Sequence, residues 1–344
     1  MIRVYDAVTD QVVDSLDLSI PSGPTESRTY GPECDYTKVP YDYTRTVVPT
    51  NKDTRPGTPS GTAEPTPPVY QLTIIGGFTD AFHFYPVIVR DSIATIYLHN
   101  NMLEYGHTYY VTIDNGVLNL ADGSFQGVTK EDEWTFTTKS DMPELSDTLI
   151  VDATGKGDFN TVQGALDFIP DFNEQQTVIL VNPGDYEELV YTRNKWNVKI
   201  KGAGMADTKV HYANNEVFNP HPLTVKTNEW PGTFPSRRAA FMLDNCKDIV
   251  IEDMTIATDL KGQAEGLLIN GERIALYRVH IIGSGDALQA NGTIYMESCE
   301  LDGGGDTILG RGSLFAYKSN FRNGGGPFSW VRNTAVNHGY VFVD

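Results

Sequence analysis

No stretch of the 344-residue chain approaches the eighteen or so consecutive apolar residues that a membrane-spanning helix needs. No basic-then-apolar leader follows Met1; the sequence opens on a strand-like IRVYDAVTD. If the protein is exported, its leader is absent from this sequence. Positive charge is scarce as well, with 26 Lys and Arg against 45 Asp and Glu, a formal net charge of −19. A nucleic-acid partner would want a basic stripe and an anionic membrane surface a polybasic segment, so the charge balance argues against both. The deficit is general: residues 1–140 carry 9 basic and 18 acidic side chains, and residues 141–344 carry 17 and 27. Cysteine is rarer still. Cys34, Cys246 and Cys299 form neither a disulfide framework nor a zinc spacing, and one of them must be unpaired.

Helical periodicity is nearly absent too, and the 32 Gly and 19 Pro favour turns and short strands. Ahead of the segment at 141–148, the runs YQLTIIG, SIATIYLHN, HTYYVTID and EWTFTTK alternate with the period of a half-buried strand, each bounded by Gly, Asn or Asp. Residues 48–69, with six prolines and no aromatic before Tyr70, are a long loop or ordered insertion. This pattern predicts a β-sandwich over residues 1–140. The order LEYGHTYYVTIDNGVLNLADG followed by WTFTT resembles the bacterial Ig-like domains that precede surface and carbohydrate-active modules. The resemblance is good over about residues 70–140 and weak near Ile2–Asp6, and it implies a spacer role.

The polar segment of residues 141–148 is the predicted linker, and from Leu149 the texture changes. DFNTVQGALDFIPD is the one convincing helix, with Val162, Ala165, Leu166 and Ile169 on one face and Asn160 with Gln163 as a capping box. Three segments of 20 residues then follow without a gap, starting at Gly271, Asn291 and Arg311. Ile274, Ile294 and Leu314 share a column, as do Ile281, Leu301 and Phe321, and Val279, Cys299 and Ser319. Short strand-and-turn repeats that cannot bury an apolar side alone mark a solenoid, here a parallel β-helix over residues 149–344. The helix near residue 165 would cap its open end. Cys246 and Cys299 read as small apolar plugs.

The repeat also places two carboxylates. Asp286 and Asp306 occupy one column of consecutive coils, each after a Gly-rich turn. Coils one strand spacing apart, about 4.8 Å, make them near neighbours on one face. Such a pair shares a proton, which supplies a carboxylate nucleophile beside a carboxylic acid. Ordinary turn chemistry for Asp after Gly is the competing reading.

With these residues in place, the chain resembles the pectin methylesterases, carbohydrate esterases built on a right-handed parallel β-helix. VDATGKGDFNTVQGALDFIP, VILVNPGDYEE, IKGAG, GQAEGLL, GSGDAL and GGGDTILG match the family's segments in order between Leu149 and Gly310. The resemblance implies that Asp306 is the nucleophile, Asp286 the general acid/base, and Gln263 one of two glutamines that stabilise the oxyanion. It implies methyl-ester hydrolysis on galacturonate units of pectin, with no metal and no cofactor. Gln289 stands where the family usually carries a substrate-stacking Tyr and Leu309 where it carries a Phe, so both are substrate-binding candidates.

Two further departures follow. The second oxyanion glutamine is Gly285 here, and losing one such donor costs on the order of a hundredfold in rate. The family's Arg-Pro-Trp segment, whose Arg holds the nucleophile, does not occur before the chain ends at Asp344. That predicts a β-helix incomplete at its C-terminal end, with Arg311 and Arg332 as candidate substitutes. In the insertion at residues 214–238, Trp230 suits a sugar face, and Arg237 or Arg238 a galacturonate carboxylate. The alternative is a loop packing its own aromatics. His211, His221 and His280 show no partnered spacing.

The leading expectation is an exported bacterial esterase acting on a methylated acidic polysaccharide. The competitors are a non-hydrolytic β-helix that binds acidic glycan, and a polysaccharide lyase or glycoside hydrolase of the same fold.

Overall fold

The computed structural model describes residues 1–23, 70–78, 81–119, 123, 125–219, 237–333, 335 and 339–344. The insertion at 48–69, Cys34, His221 and Trp230 lie outside them. The described residues form two units. One is drawn from the span between Met1 and Glu144; the other runs from Leu145 to Asp344 and takes in Ile75 to Phe78.

The first unit holds an antiparallel sheet in the order Val12–Leu16, Ile2–Asp6, Thr108–Ile113, Thr135–Thr137. Alternation in Ile2–Asp6 sends Ile2 and Val4 into a core with Leu16, Tyr109, Val111 and Ile113. Two short ladders accompany it: Leu72–Thr73 with Phe82–His83, and the hairpin Val87–Arg90 with Ile93–Ile96. The expected alternating runs are thus strands, several of them shorter than their sequence pattern.

The second unit is a β-helix whose coils contribute to three parallel ladders. The first ladder runs through Val190–Arg193, the leading ends of Phe241–Thr258, Leu267–Ile282 and Leu288–Glu297, then Ile308–Gly310 and Ser329–Val331. The second begins at Thr148–Val151 and ends at Tyr340–Val343. The third joins Gly184–Glu187, Thr208–Tyr212, the trailing ends of the two longest strands, Glu300–Gly303 and Asn320–Asn323. Ile274 pairs with Ile294 and Ile294 with Leu314, so the columns of the sequence repeat are the strand register itself. Inward side chains from Leu149 to Ala316 make one continuous apolar core.

The long strands turn from one ladder to the next at single residues in the left-handed region, among them Asp253 and Arg278. Such a φ is costly for a side chain bearing Cβ. Arg278 offsets part of it by forking onto Asp253, one coil earlier in the same corner, at 2.5 and 3.0 Å. The other corner is built inside. Arg193 donates to Asp244 at 2.6 Å, Asn270 to Asp244 at 3.3 Å, Asn291 to Asn270 at 2.7 Å, and the Arg311 amide to Asn291 at 3.1 Å. Arg193, Asp244, Asn270 and Asn291 are all buried, so this polar ladder takes the place of water for the groups at the turn.

The helix spans Val162–Phe168, and its cap differs from the expected box. Thr161, not Asn160, is the N-cap, its hydroxyl accepting from the Gly164 amide at 3.1 Å. Gln163 turns instead to the Tyr191 backbone, donating to its carbonyl at 3.0 Å and accepting from its amide at 2.8 Å. The first helical amides, Val162 and Gln163, donate to the buried Glu188 carboxylate from the wall of the β-helix at 2.7 and 2.9 Å. A carboxylate distant in sequence thus satisfies two of the helix's free N-terminal amides. Cys246 and Cys299 are free and buried, and burial pushes their thiols up to about 12 and about 11, as apolar plugs rather than nucleophiles.

Asn291→Ala leaves the Asn270 side-chain oxygen without its donor and the Arg311 amide without its acceptor. The expected loss is about 1–3 kcal/mol in urea denaturation, and an unchanged midpoint would show that the ladder is not a stabilising element.

Candidate active site

Two glycine turns on adjacent coils carry the acids. The Gly305 amide donates to the Gly285 carbonyl, and the Ala287 and Leu288 amides both donate to the Thr307 carbonyl at 3.1 Å. Asp286 and Asp306, enclosed by these bonds, are therefore in register on neighbouring coils. The Asp306 amide also donates to Asp286 Oδ1 at 3.2 Å. One coil earlier, the Gly266 and Leu267 amides donate to the Ala287 carbonyl at 3.0 and 3.2 Å, which aligns Glu265 with Asp286. Three acids, Glu265, Asp286 and Asp306, thus follow one another in a single column.

The turn needs glycine for space. A Cβ on Gly285 would lie 2.7 Å from the Gly262 carbonyl oxygen and 3.1 Å from Gln263 Cα. Any side chain there would push apart the backbones of two coils. The absence of a second glutamine before Asp286 is therefore part of how closely these coils approach.

One guanidinium serves the column. Arg238 Nε lies 2.7 and 3.0 Å from the two oxygens of Glu265, and Nη2 lies 2.6 Å from Glu265 Oε1 and 3.4 Å from Asp286 Oδ2. Nη1 donates to Gln263 Oε1 at 3.2 Å and stands 3.8 Å from Glu216. Glu265 has no exposure at all, and Asp286 is 5% exposed. Burial pushes the Asp286 carboxyl up to about 7; the charge of Glu265 adds to this, Arg238 offsets part of it, and Asp306 adds a little more. Asp306 is half-buried, and its Oδ1 is enclosed with no hydrogen-bond partner among the described residues. The arrangement puts a carboxyl that keeps its proton to near-neutral pH beside a second aspartate with one oxygen uncommitted.

Of the residues expected at the site, Asp286, Asp306 and Gln263 come together. Gln289 and Leu309 do share the first ladder with Leu268, pairing in register. They are 2% and 1% exposed, however, so neither offers a surface to a polymer. Arg237 is likewise 1% exposed, and it is its neighbour Arg238 that reaches the acids. Arg332 lies over the Trp330 ring at 4.2 Å, and Arg311 contributes to the asparagine ladder and to the Arg332 carbonyl. Among the described residues no ion pair joins either of them to Asp306. The signal for Arg238 was present in GQAEGLL: its glutamate, Glu265, falls one coil before Asp286 in the same column, and a buried acid there demands a cation.

His211 and His280 acquire partners across coils that their spacing does not reveal. His280 meets Asp302 at 2.7 Å. His211 pairs with Asp259 through Nδ1 and stands 2.9 Å from Asp185 through Nε2. With Glu187 and Asp259, His211 forms a group of three side chains of metal-ligating type, on the third ladder rather than the first.

The pectinesterase family model matches residues 148–323, just over half of the chain. Pectinesterase QRT1 of Arabidopsis thaliana is 31% identical over 170 residues, 47% of this chain and 43% of that protein. Pectinesterase 31 of the same plant is 29% identical over 165 residues, 46% and 51% of the two chains. The chain therefore spans about half the length of the curated relatives it matches. Among solved structures, a pectin methylesterase from Aspergillus niger overlaps 59% of this chain and 69% of its own, at 18% identity and a TM-score of 0.46.

The buried Asp286 carboxyl has a consequence for stability. Folded, it holds its proton up to about 7, whereas an unfolded aspartate releases it at ~4. Folding binds a proton between these values, so the contribution is full below the lower value and is lost as pH rises through the upper one. Asp286→Asn should therefore melt at a higher temperature than the parent at about pH 8 and near the parent at about pH 4. The same difference at both pH values would contradict a raised Asp286.

Proposed function

The chain belongs to the pectinesterase family, and on that premise we propose that it hydrolyses methyl esters on galacturonate units of pectin. The observation that carries the reading is the in-register pair of Asp286 and Asp306, joined by the Asp306 amide bond to Asp286 Oδ1 and differing in environment. Two carboxyl groups with unlike surroundings divide the roles of acid and nucleophile.

In this mechanism Asp306 attacks the ester carbonyl carbon. The tetrahedral oxyanion is met by the Gln263 side-chain amide, and methoxide departs with the proton of Asp286 as methanol. That leaves an acyl-enzyme anhydride on Asp306 and an ionised Asp286. Asp286 then takes a proton from water, whose oxygen attacks the acyl carbon. Collapse expels Asp306 as its carboxylate and releases the galacturonic acid, which loses its proton to solvent, and Asp306 and Asp286 return to their starting states. An Asp286 that titrates near 7 suits a group used first as acid and then as base.

Residues 1–140 are an Ig-like spacer ahead of the esterase unit, supported by their antiparallel strands. The β-helix is right-handed, as crossovers between parallel strands nearly always are. The protein works outside the cell, where its polymer is found. Among the described residues no helix is long and apolar enough to cross a membrane.

The test is product analysis on methylated pectin. Methanol release without unsaturated uronide or new reducing ends is the expected outcome; unsaturated ends would assign a lyase, new reducing ends a glycoside hydrolase, and binding without any product a glycan-binding protein. Asp306→Asn should abolish methanol release with the fold retained, because an amide is no nucleophile here. Asp286→Asn should reduce it by about a hundredfold or more. Near-parental release by the Asp306 variant would remove the mechanism.

A further inference from the structure

Arg238 has five N–H donors and no acceptor. Its contacts direct those donors at Glu265, Asp286 and Gln263, with Glu216 just beyond hydrogen-bond reach. Two consequences are geometric. First, a group that can only donate must face the carbonyl oxygen of the Gln263 amide, so Nε2 of this exposed side chain is turned away from the guanidinium. That nitrogen is the amide's only donor. Second, the column of Glu265, Asp286 and Asp306 would set three acids a coil apart with no cation, and Arg238 is the one that pairs with it among the described residues. The fully buried Glu265 holds the guanidinium through both of its oxygens, so the fork has little freedom to swing away.

We propose that Arg238, clamped by Glu265, is a positioning residue of the esterase centre: it turns the Gln263 amide so that its N–H faces the reacting carbonyl, and it keeps a negative charge available on the Asp286–Asp306 pair. The assignment rests on the reading of Asp286 and Asp306 as the reacting carboxyls. It gives a physical role to two residues that the paired aspartates alone do not require. It also compensates for Gly285, where no side-chain donor can be accommodated: the one amide that remains is held in the orientation that donates. Lysine would not serve, because a point charge cannot fork onto Glu265 and reach Gln263 and Asp286 at once.

The test follows the Asp286 carboxyl by carbon NMR in the full chain, with Asp286→Asn to assign the resonance, alongside methanol release from methylated pectin. The groups that face this carboxyl are Glu265, Arg238 and Asp306. In Arg238→Met the Asp286 midpoint should rise by about one unit or more, since a neighbouring cation has been lost. The kcat for methanol release should fall about tenfold or more with a smaller change in KM. Arg238→Lys should restore most of the midpoint but not the kcat. If Arg238→Met does not fold with Glu265 left unpaired, Glu265→Gln keeps the fold and should lower the midpoint by removing a like charge. A midpoint unmoved in the folded variants, or a Lys variant with parental kcat, would overturn the proposal. Absence of methanol release from the parent chain would instead count against the esterase reading. In that case the titration arm still decides whether Arg238 governs the charge of the pair.

Discussion

Backbone hydrogen bonding between parallel coils, one strand spacing apart, is the constraint on which the rest of the second unit depends. Once Leu267 pairs with Leu288 and Leu288 with Ile308, every residue of one coil has a fixed neighbour above and below. Inward positions must then be apolar in column after column, and they are, from Leu149 to Ala316. Polar groups at an inward corner must satisfy one another along the stack, as Asp244, Asn270 and Asn291 do. Acids that share an outward column must either carry a cation with them or hold protons.

The candidate site is a direct outcome of this last rule. In an open loop, Asp286 and Asp306 would each be solvated, ordinary turn residues. Stacked, and with Glu265 preceding them, they sit in a field of like charge that Arg238 relieves. Burial and that field leave Asp286 with its proton at a pH where an ordinary aspartate has lost it. The same close stacking that creates the pair excludes a side chain at Gly285. The pairing of the two acids and the lack of a side chain at Gly285 therefore have one cause, the short distance between two coils.

Stability and function compete at this position. A protonated or charged carboxyl inside the wall is less favourable than an apolar group of the same size, and Glu265 with Arg238 adds a buried ion pair whose desolvation is costly. By contrast the Arg193–Asp244 pair, more deeply buried at its arginine, is tied into the asparagine ladder and serves the corner of the coil. Two buried arginine–acid pairs in one fold thus differ in what surrounds them: one is embedded in a satisfied polar network, the other borders a carboxylate oxygen without a partner.

The amino-acid sequence by itself determined the change of texture after the segment at 141–148, the repeat period, the inward columns and the neighbourhood of Asp286 with Asp306. These are properties of spacing, and in a solenoid spacing along the chain becomes position in space. Only the tertiary structure decided which side chains the site could use. Nothing local distinguishes Arg238 from Arg237, yet one reaches the acid column and the other is sealed in the wall. Gln289 and Leu309 lie in the expected register but have no open face. Besides its own Thr161 cap, the helix found a carboxylate for its first two amides in Glu188, and His211 and His280 found carboxylates on other coils. The reason is the same in each case. Column membership follows from counting residues, whereas burial, the reach of a long side chain and the choice of an ion-pair partner depend on everything packed around it.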